Sequence, residues 1–140
     1  MRSLPLSPDA AMVLALAGPA LRFADSDDAE TERWLRALRL HGEAAAVLQG
    51  LGIGEARLLA AKGGFERKTA RQPDEGVEAV LAAGEECARQ RGAALISTAD
   101  LLVAVMRCYP SAFARSLESR GSDRWELTER VVESLHAPLR

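Results

Sequence analysis

Ile96-Ser97-Thr98-Ala99-Asp100-Leu101-Leu102-Val103-Ala104-Val105 is the stretch on which the fold turns. Ser97 and Asp100 stand at capping-box spacing, in which each side chain bonds the other residue's backbone N–H, with Asp replacing the usual Glu. Leu101, Leu102, Val105 and Met106 then recur at helical intervals, so the segment reads as a capped helix with one apolar face. An earlier stretch, Glu30-Thr31-Glu32-Arg33-Trp34-Leu35-Arg36-Ala37-Leu38, matches it at a constant offset. Thr31 corresponds to Thr98, Leu35 to Leu102 and Ala37 to Ala104. The same offset relates Ser7 to Asp74, both suited to cap a long helix. Leu48 and Leu117, then Gly52 and Gly121, follow at an interval two residues longer, which puts an insertion near Tyr109-Pro110. Cap, threonine, apolar pair, small residue, leucine and closing glycine thus recur in order. The chain reads as a duplication in which each copy's apolar face is covered by the other.

Outward from these stretches the remaining segments also read as helices. Ser7-Pro8 opens the first, because Pro at the first helical position loses only a donor that has no partner there. Met12, Val13, Leu16 and Ala20 mark its apolar side, and Pro19 is expected to end or bend it after about three turns. Asp25-Ser26-Asp27-Asp28 offers caps for a second helix through Leu40, with Trp34, Leu35 and Leu38 inward and Arg33, Arg36 and Arg39 largely outside. His41-Gly42 interrupts, and a short helix follows from Glu43 to Leu51, closed by Gly52. Glu55 to Ala61 suits a fourth. Gly63 to Pro73, with two glycines, a proline and the charges of Glu66, Arg67, Lys68 and Arg71, reads as a linker. Asp74 caps a long helix carrying Val77, Val80, Leu81 and Gly84 and ending near Gly92. Pro110 begins another, with Phe113 and Leu117 inward and Gly121 at its close. Asp123 opens a last helix with Trp125, Leu127, Val131 and Leu135.

The expected fold is all-α: two tandem pseudo-symmetric four-helix repeats, about eight helices, packed into one bundle. The 140 residues form a single domain, with repeat one at about 5–62, the linker at about 63–73 and repeat two at about 74–136. A chain of this size buries roughly two-thirds of its unfolded surface, enough for a core without metal or disulfide staples. With 48% hydrophobic but only 4% aromatic residues, that core must be mostly Leu, Ala and Val, a composition that favours helix over strand.

Composition also limits function. A net charge of −2 with interspersed signs lacks the clustered basic excess of a nucleic-acid footprint. No run approaches the roughly 18 apolar residues of a membrane span, and Met1 to Pro8 lacks the features of a signal peptide. The expected setting is the cytoplasm. Cys87 and Cys108 read as buried small hydrophobes rather than a disulfide framework. His41 and His136 lie in unrelated segments without ligand partners, so neither a metal nor a cofactor is expected. Gly50-x-Gly52-x-Gly54 follows no strand and precedes no Gly-Lys-Ser/Thr, so it reads as a helix end rather than a phosphate loop. No nucleophile is paired with a base. The expectation is a binding protein, not an enzyme.

The motifs resemble the N-terminal repeat domain of Clp ATPases of the ClpC and ClpA type. The family pattern is an aromatic or apolar residue then Thr, a helix rich in Leu-Ala, a Gly-Thr-Glu-His-Leu/Ile-Leu signature, and a closing Leu-x-x-Leu-Gly. Here the first repeat reads Leu6-Ser7-Pro8, Val13-Leu14-Ala15-Leu16-Ala17, Thr31-Glu32-Arg33-Trp34-Leu35, and Val47-Leu48-Gln49-Gly50-Leu51-Gly52. The second reads Ile96-Ser97-Thr98-Ala99-Asp100-Leu101-Leu102 and Leu117-Glu118-Ser119-Arg120-Gly121. The likeness spans roughly residues 5 to 136. It implies a domain that receives substrates and adaptor proteins ahead of ATPase modules, here without those modules, and so an accessory or decoy factor in Clp-dependent proteolysis. Its implied partners are Clp ATPase, its adaptors or its substrates, with neither nucleic acid nor membrane.

Some members of that family bind phosphorylated arginine, the signature Glu holding the guanidinium and the Thr near the first cap contributing to the phosphate pocket. By position, the resemblance implies Ser7 and Glu32 for a first site and Asp74 and Ala99 for a second. Ser7 keeps a hydroxyl and Glu32 keeps the carboxylate. Ala99 offers no charge, and Asp74 sets an anion where phosphate would sit, so the second site is degenerate. The signature His has become Arg33 and Asp100, and the aromatic before each cap has become Leu6 and Pro73. Structural roles compete with the functional ones: Glu32 in a first helical turn suits the helix dipole, and Ser7 suits an N-cap. The alternative reading of the whole is a diverged helical scaffold serving an unrelated protein partner or self-association.

Overall fold

Ser7 meets the first helix with extended backbone, its Oγ accepting from Ala10 N at 3.1 Å, and Pro8 follows as the first helical residue. In the computed structural model, which describes residues 4–24, 26–40, 42–50 and 75–118 together with 127, 129 and 131, six helices follow in order. They are α1 Pro8–Leu21, α2 Asp27–Leu38, α3 Gly42–Gly50, α4 Glu75–Gln90, α5 Thr98–Cys108 and α6 Pro110–Glu118. Leu127, Glu129 and Val131 are again helical. The protein is all-helical among the described residues. The expected fourth helix, the linker, Gly52 and Gly121 lie outside them.

The helix starts follow the expected chemistry. Ser26 caps α2 by accepting from Ala29 N at 3.0 Å. Ser97 and Asp100 form the capping box of α5, with Ser97 Oγ accepting from Asp100 N at 3.2 Å and Asp100 Oδ2 accepting from Ser97 N at 2.8 Å. At the end of α4, Gly92 takes a φ of 70°. Its N–H bonds Arg89 O at 3.1 Å while Ala93 N–H reaches back to Ala88 O at 2.9 Å, a Schellman closure that needs the left-handed residue.

Of the two outcomes expected at Pro19, an end does not occur: α1 runs through to Leu21, because a proline this near the C-terminal end removes only one of the last backbone bonds. The apolar side expected for α1 requires correction. Its buried side is Ala10, Val13, Ala17 and Leu21, whereas Met12 and Leu16 are 48% and 43% exposed. A segment apolar at every position from Ala10 to Leu21 has no periodicity from which the inward side can be chosen. In α4 the buried line is Gly76, Val80, Gly84 and Ala88, with Val77 and Leu81 only half-buried. These small residues allow close approach to α5: a Cβ on Gly84 would stand 3.1 Å from Leu101 Cδ2.

The core draws on all six helices, with Trp34, Leu35, Leu102, Tyr109 and Phe113 among its fully shielded side chains. Leu127 and Val131 also reach it. Helix α4 packs most extensively on α5, and α1 on α2; across the chain, α2 packs on α6 and α3 on α5. Thr98 links the last pair: its buried Oγ1 accepts from Ala44 N at 3.1 Å, closing the N-terminal turn of α3 from another helix. Thr31, its sequence counterpart, instead donates to Asp27 O at 2.9 Å within α2. The segment ahead of α1 also meets the connection between α4 and α5 directly. Leu6 and Ile96 form an isolated parallel bridge, Ser7 N–H donating to Ile96 O and Ile96 N–H to Pro5 O, both at 2.9 Å.

Candidate functional site

The bridge between Leu6 and Ile96 forms one side of a cleft of about 450 Å³. The short segment before Ser7 supplies Leu4, Pro5 and Leu6, and α4 supplies the facing wall through Leu81 and Ala82. Glu78 and Glu85, two helical turns apart on α4, flank that wall, separated by roughly 10 Å along the axis. Glu85 Oε1 accepts from Leu4 N at 2.5 Å, which ties the segment down, and lies 3.5 Å from Arg89 Nη2. Glu78 is exposed. Aliphatic walls with carboxylates at the rim suit an apolar side chain flanked by cationic or N–H donor groups. Among the described residues the lining includes no Ser, Thr, Cys, Lys or His side chain.

Behind it lies the best-organised polar cluster among the described residues. The fully buried Asp100 carboxylate takes both hydrogen bonds of the Arg91 fork, Nε to Oδ1 at 2.9 Å and Nη2 to Oδ2 at 2.7 Å. Burial alone would push this carboxyl up. The Arg91 hydrogen bonds, the Ser97 N–H and the Cys87 thiol outweigh that effect and hold it below the ordinary carboxylate range. Burial, the hydrogen bond to Asp100 and the nearby carboxylate charge push the Cys87 thiol up to about 11. Cys87 is therefore a thiol donor rather than a thiolate nucleophile. Neither cysteine is in a disulfide, and both are only half-buried, less shielded than their reading as buried hydrophobes.

A second buried pair crosses the molecule, Tyr109 OH donating to Glu30 Oε1 at 2.5 Å. Gly76 of α4 leaves room for it, since a Cβ there would stand 2.8 Å from both oxygens. Arg91, Cys87, Glu30 and Tyr109 stand in no distinguishing pattern along the chain. Only the capping spacing of Ser97 and Asp100 pointed toward either cluster.

The sequence-derived site residues have separate surroundings. Ser7, half-buried, serves as the α1 cap, and its N–H is bound to Ile96 beside the cleft. Glu32, also half-buried, accepts from Ser116 Oγ of α6 at 2.8 Å. Ala99 is 1% exposed and belongs to the core. Asp74 lies outside the described residues, as do His41, His136 and Trp125. Among the described residues no group of three or more His, Cys, Asp or Glu side chains is placed to hold a metal ion, and no helix is long and apolar enough to cross a membrane. No protein-family model and no curated protein matches the chain.

Proposed function

We propose that this chain is a protein- and peptide-binding module of the kind that receives substrates and adaptors for Clp ATPases, acting through docking rather than chemistry. The observation that carries the reading is the apolar cleft beside the first helix cap, walled by Leu4, Leu6, Leu81 and Ile96 and edged by Glu78 and Glu85. The motif resemblance supports the same reading. The tandem organisation behind it is supported by the helix lengths, 14, 12 and 9 residues then 16, 11 and 9. Exchanging the two copies turns the α2–α6 contact into the α5–α3 contact, and both occur. In this reading the module competes for Clp substrates or adaptors in the cytoplasm.

Within the same reading, the resemblance assigns Ser7 and Glu32, which the fold sets in separate surroundings, to a residual phosphoarginine pocket. Each already has a structural bond, so ligand binding there must exchange partners: the Ser116 hydroxyl releases Glu32 as a guanidinium arrives. Two probes test the two levels separately. Fluorescence anisotropy with a labelled, permanently unfolded protein should show saturable binding that Leu81→Arg abolishes while the far-UV circular dichroism stays unchanged. Calorimetry with phosphoarginine should give binding that Glu32→Ala removes. A wild-type protein that binds neither probe overturns the proposed function, whereas loss of the phosphoarginine arm alone overturns only the pocket.

A further inference from the structure

Two backbone bonds flank Leu6 in its bridge to Ile96, one from Ser7 N–H to Ile96 O and one from Ile96 N–H to Pro5 O. In a parallel pair this pattern turns the N–H and C=O of the residue between, Leu6, to the opposite edge. Neither group has a hydrogen-bond partner among the described residues. Leu4, two residues earlier and so turned to the same edge, has its N–H taken by Glu85 Oε1 of α4. The free edge at Leu6 therefore looks toward α4, the helix that walls the far side of the cleft. Alternate residues of a strand and directly paired residues share one face, and Leu4, Leu6 and Ile96 all line the cleft. An unpaired strand edge beside an apolar pocket is the arrangement that accepts a further strand.

We infer that the cleft takes its ligand as an added β-strand: an extended peptide segment pairs with the free edge of Leu6, sets an apolar side chain against Leu81 and Ala82, and presents an arginine or lysine to Glu78. The inference rests on the docking role proposed for the cleft, and adds how the peptide is held and which peptides fit. A peptide N–H goes to Leu6 C=O and Leu6 N–H goes to a peptide carbonyl, so the main chain is held without regard to sequence. The side chain opposite Leu6 lies on the face shared by Leu6 and Ile96, against Leu81, half-buried, and Ala82, exposed. Charge then selects among apolar peptides. Glu85 is already engaged by Leu4 N–H and lies beside Arg89. Glu78 is exposed and has no ion pair among the described residues, and Glu75, one turn before it, is exposed as well. A cationic side chain two residues from the apolar one shares its face, about 7 Å away, and meets this open carboxylate. An acidic side chain there is repelled.

Titration of the isotope-labelled full chain with the blocked peptide Gly-Arg-Gly-Leu-Gly-Arg-Gly, followed by NMR to millimolar concentration, tests it. An arginine two residues to either side of the leucine makes this probe indifferent to strand direction. The Leu6 amide should move downfield and exchange more slowly with solvent as it gains an acceptor, while the Ser7 amide, already bonded, changes little. Methylating the leucine nitrogen removes the donor to Leu6 C=O and should weaken binding about tenfold. Glu78→Lys should weaken binding several-fold and should reverse the preference, favouring the peptide with glutamate in place of both arginines, a reversal that misfolding would not produce. Saturable binding that leaves the Leu6 amide unmoved, or that tolerates N-methylation, overturns strand addition. Binding indifferent to Glu78→Lys overturns the choice of a cationic peptide. Absence of binding at millimolar peptide overturns the inference as a whole, and the labelled unfolded protein then separates the two levels: binding lost in Leu81→Arg leaves the docking role standing, whereas no binding removes that role too.

Discussion

The Asp100 carboxylate accepts from two nitrogens of Arg91 and from the Ser97 backbone while fully shielded from water. Arg91→Ala strands that charge. The expected loss in urea denaturation is about 2 kcal/mol, less than the 3–5 of a fully buried pair because the Arg91 side chain is 25% exposed and already partly hydrated. The pH dependence has a definite sign. The folded carboxyl titrates below its ordinary value, so on acidification the unfolded chain takes the proton first. The pair's contribution is complete above the ordinary carboxylate pKa, roughly 3.9, and is lost as pH falls toward the folded value. Melting temperature against pH should show this acid limb in the wild type and a limb displaced to higher pH in Arg91→Ala. Cys87 supplies a kinetic check, since a thiol pushed up to about 11 should alkylate more slowly at pH 8 than an ordinary exposed thiol. Asp100→Asn should speed that reaction by removing the neighbouring charge. Tyr109→Phe removes the hydroxyl that donates to the buried Glu30 carboxylate and should cost about 2 kcal/mol in the same denaturation assay.

At the level of elements, the helix starts show how far local chemistry reaches. Ser7, Ser26 and Ser97 each cap the helix that follows them in sequence, and each is visible as a short polar residue ahead of a helical run. Helix α3 differs: the bond to Ala44 N comes from Thr98, far away in sequence. Gly42, at a φ of 78°, completes this junction, because a Cβ there would meet Thr98 Oγ1 at 2.5 Å. Thr98→Val keeps the volume and removes the acceptor. The expected cost is about 1 kcal/mol, with hydrogen exchange faster in the first turn of α3 and little changed in α5. Equal protection of α3 in the variant would show that Thr98 is not its cap. The same substitution at Thr31 should matter less, since that hydroxyl only donates to a carbonyl already within its own helix.

On the scale of the whole molecule, none of the described helices α1, α2 and α3 finishes its packing locally: α1 reaches α5, α2 leans on α6, and α3 on α5. A fragment of residues 1–62 should therefore be largely unfolded by far-UV circular dichroism under conditions where the full chain is folded. Mixing it with residues 63–140 should recover part of the helical signal. A fragment as helical per residue as the intact protein would show that the crossed contacts are dispensable. The direct bridge between Leu6 and Ile96 makes the same point for the cleft, because its two walls come from segments joined only by tertiary contact.

The amino-acid order by itself determined the described helices, the serine caps of α1, α2 and α5, and the inward face of α2, where Trp34, Leu35 and Leu38 stand out against Arg33, Arg36 and Arg39. Periodicity works there because it reports contrast. In α1 there is no contrast, and only the folded arrangement decided that Val13 and Ala17 turn inward while Met12 and Leu16 face out. The same holds for the Arg91–Asp100 and Tyr109–Glu30 bonds, for Thr98 capping a distant helix, and for the cleft. Each joins groups whose separation in sequence carries no periodic signal, so their meeting is fixed by how the helices pack and by nothing in the local chain.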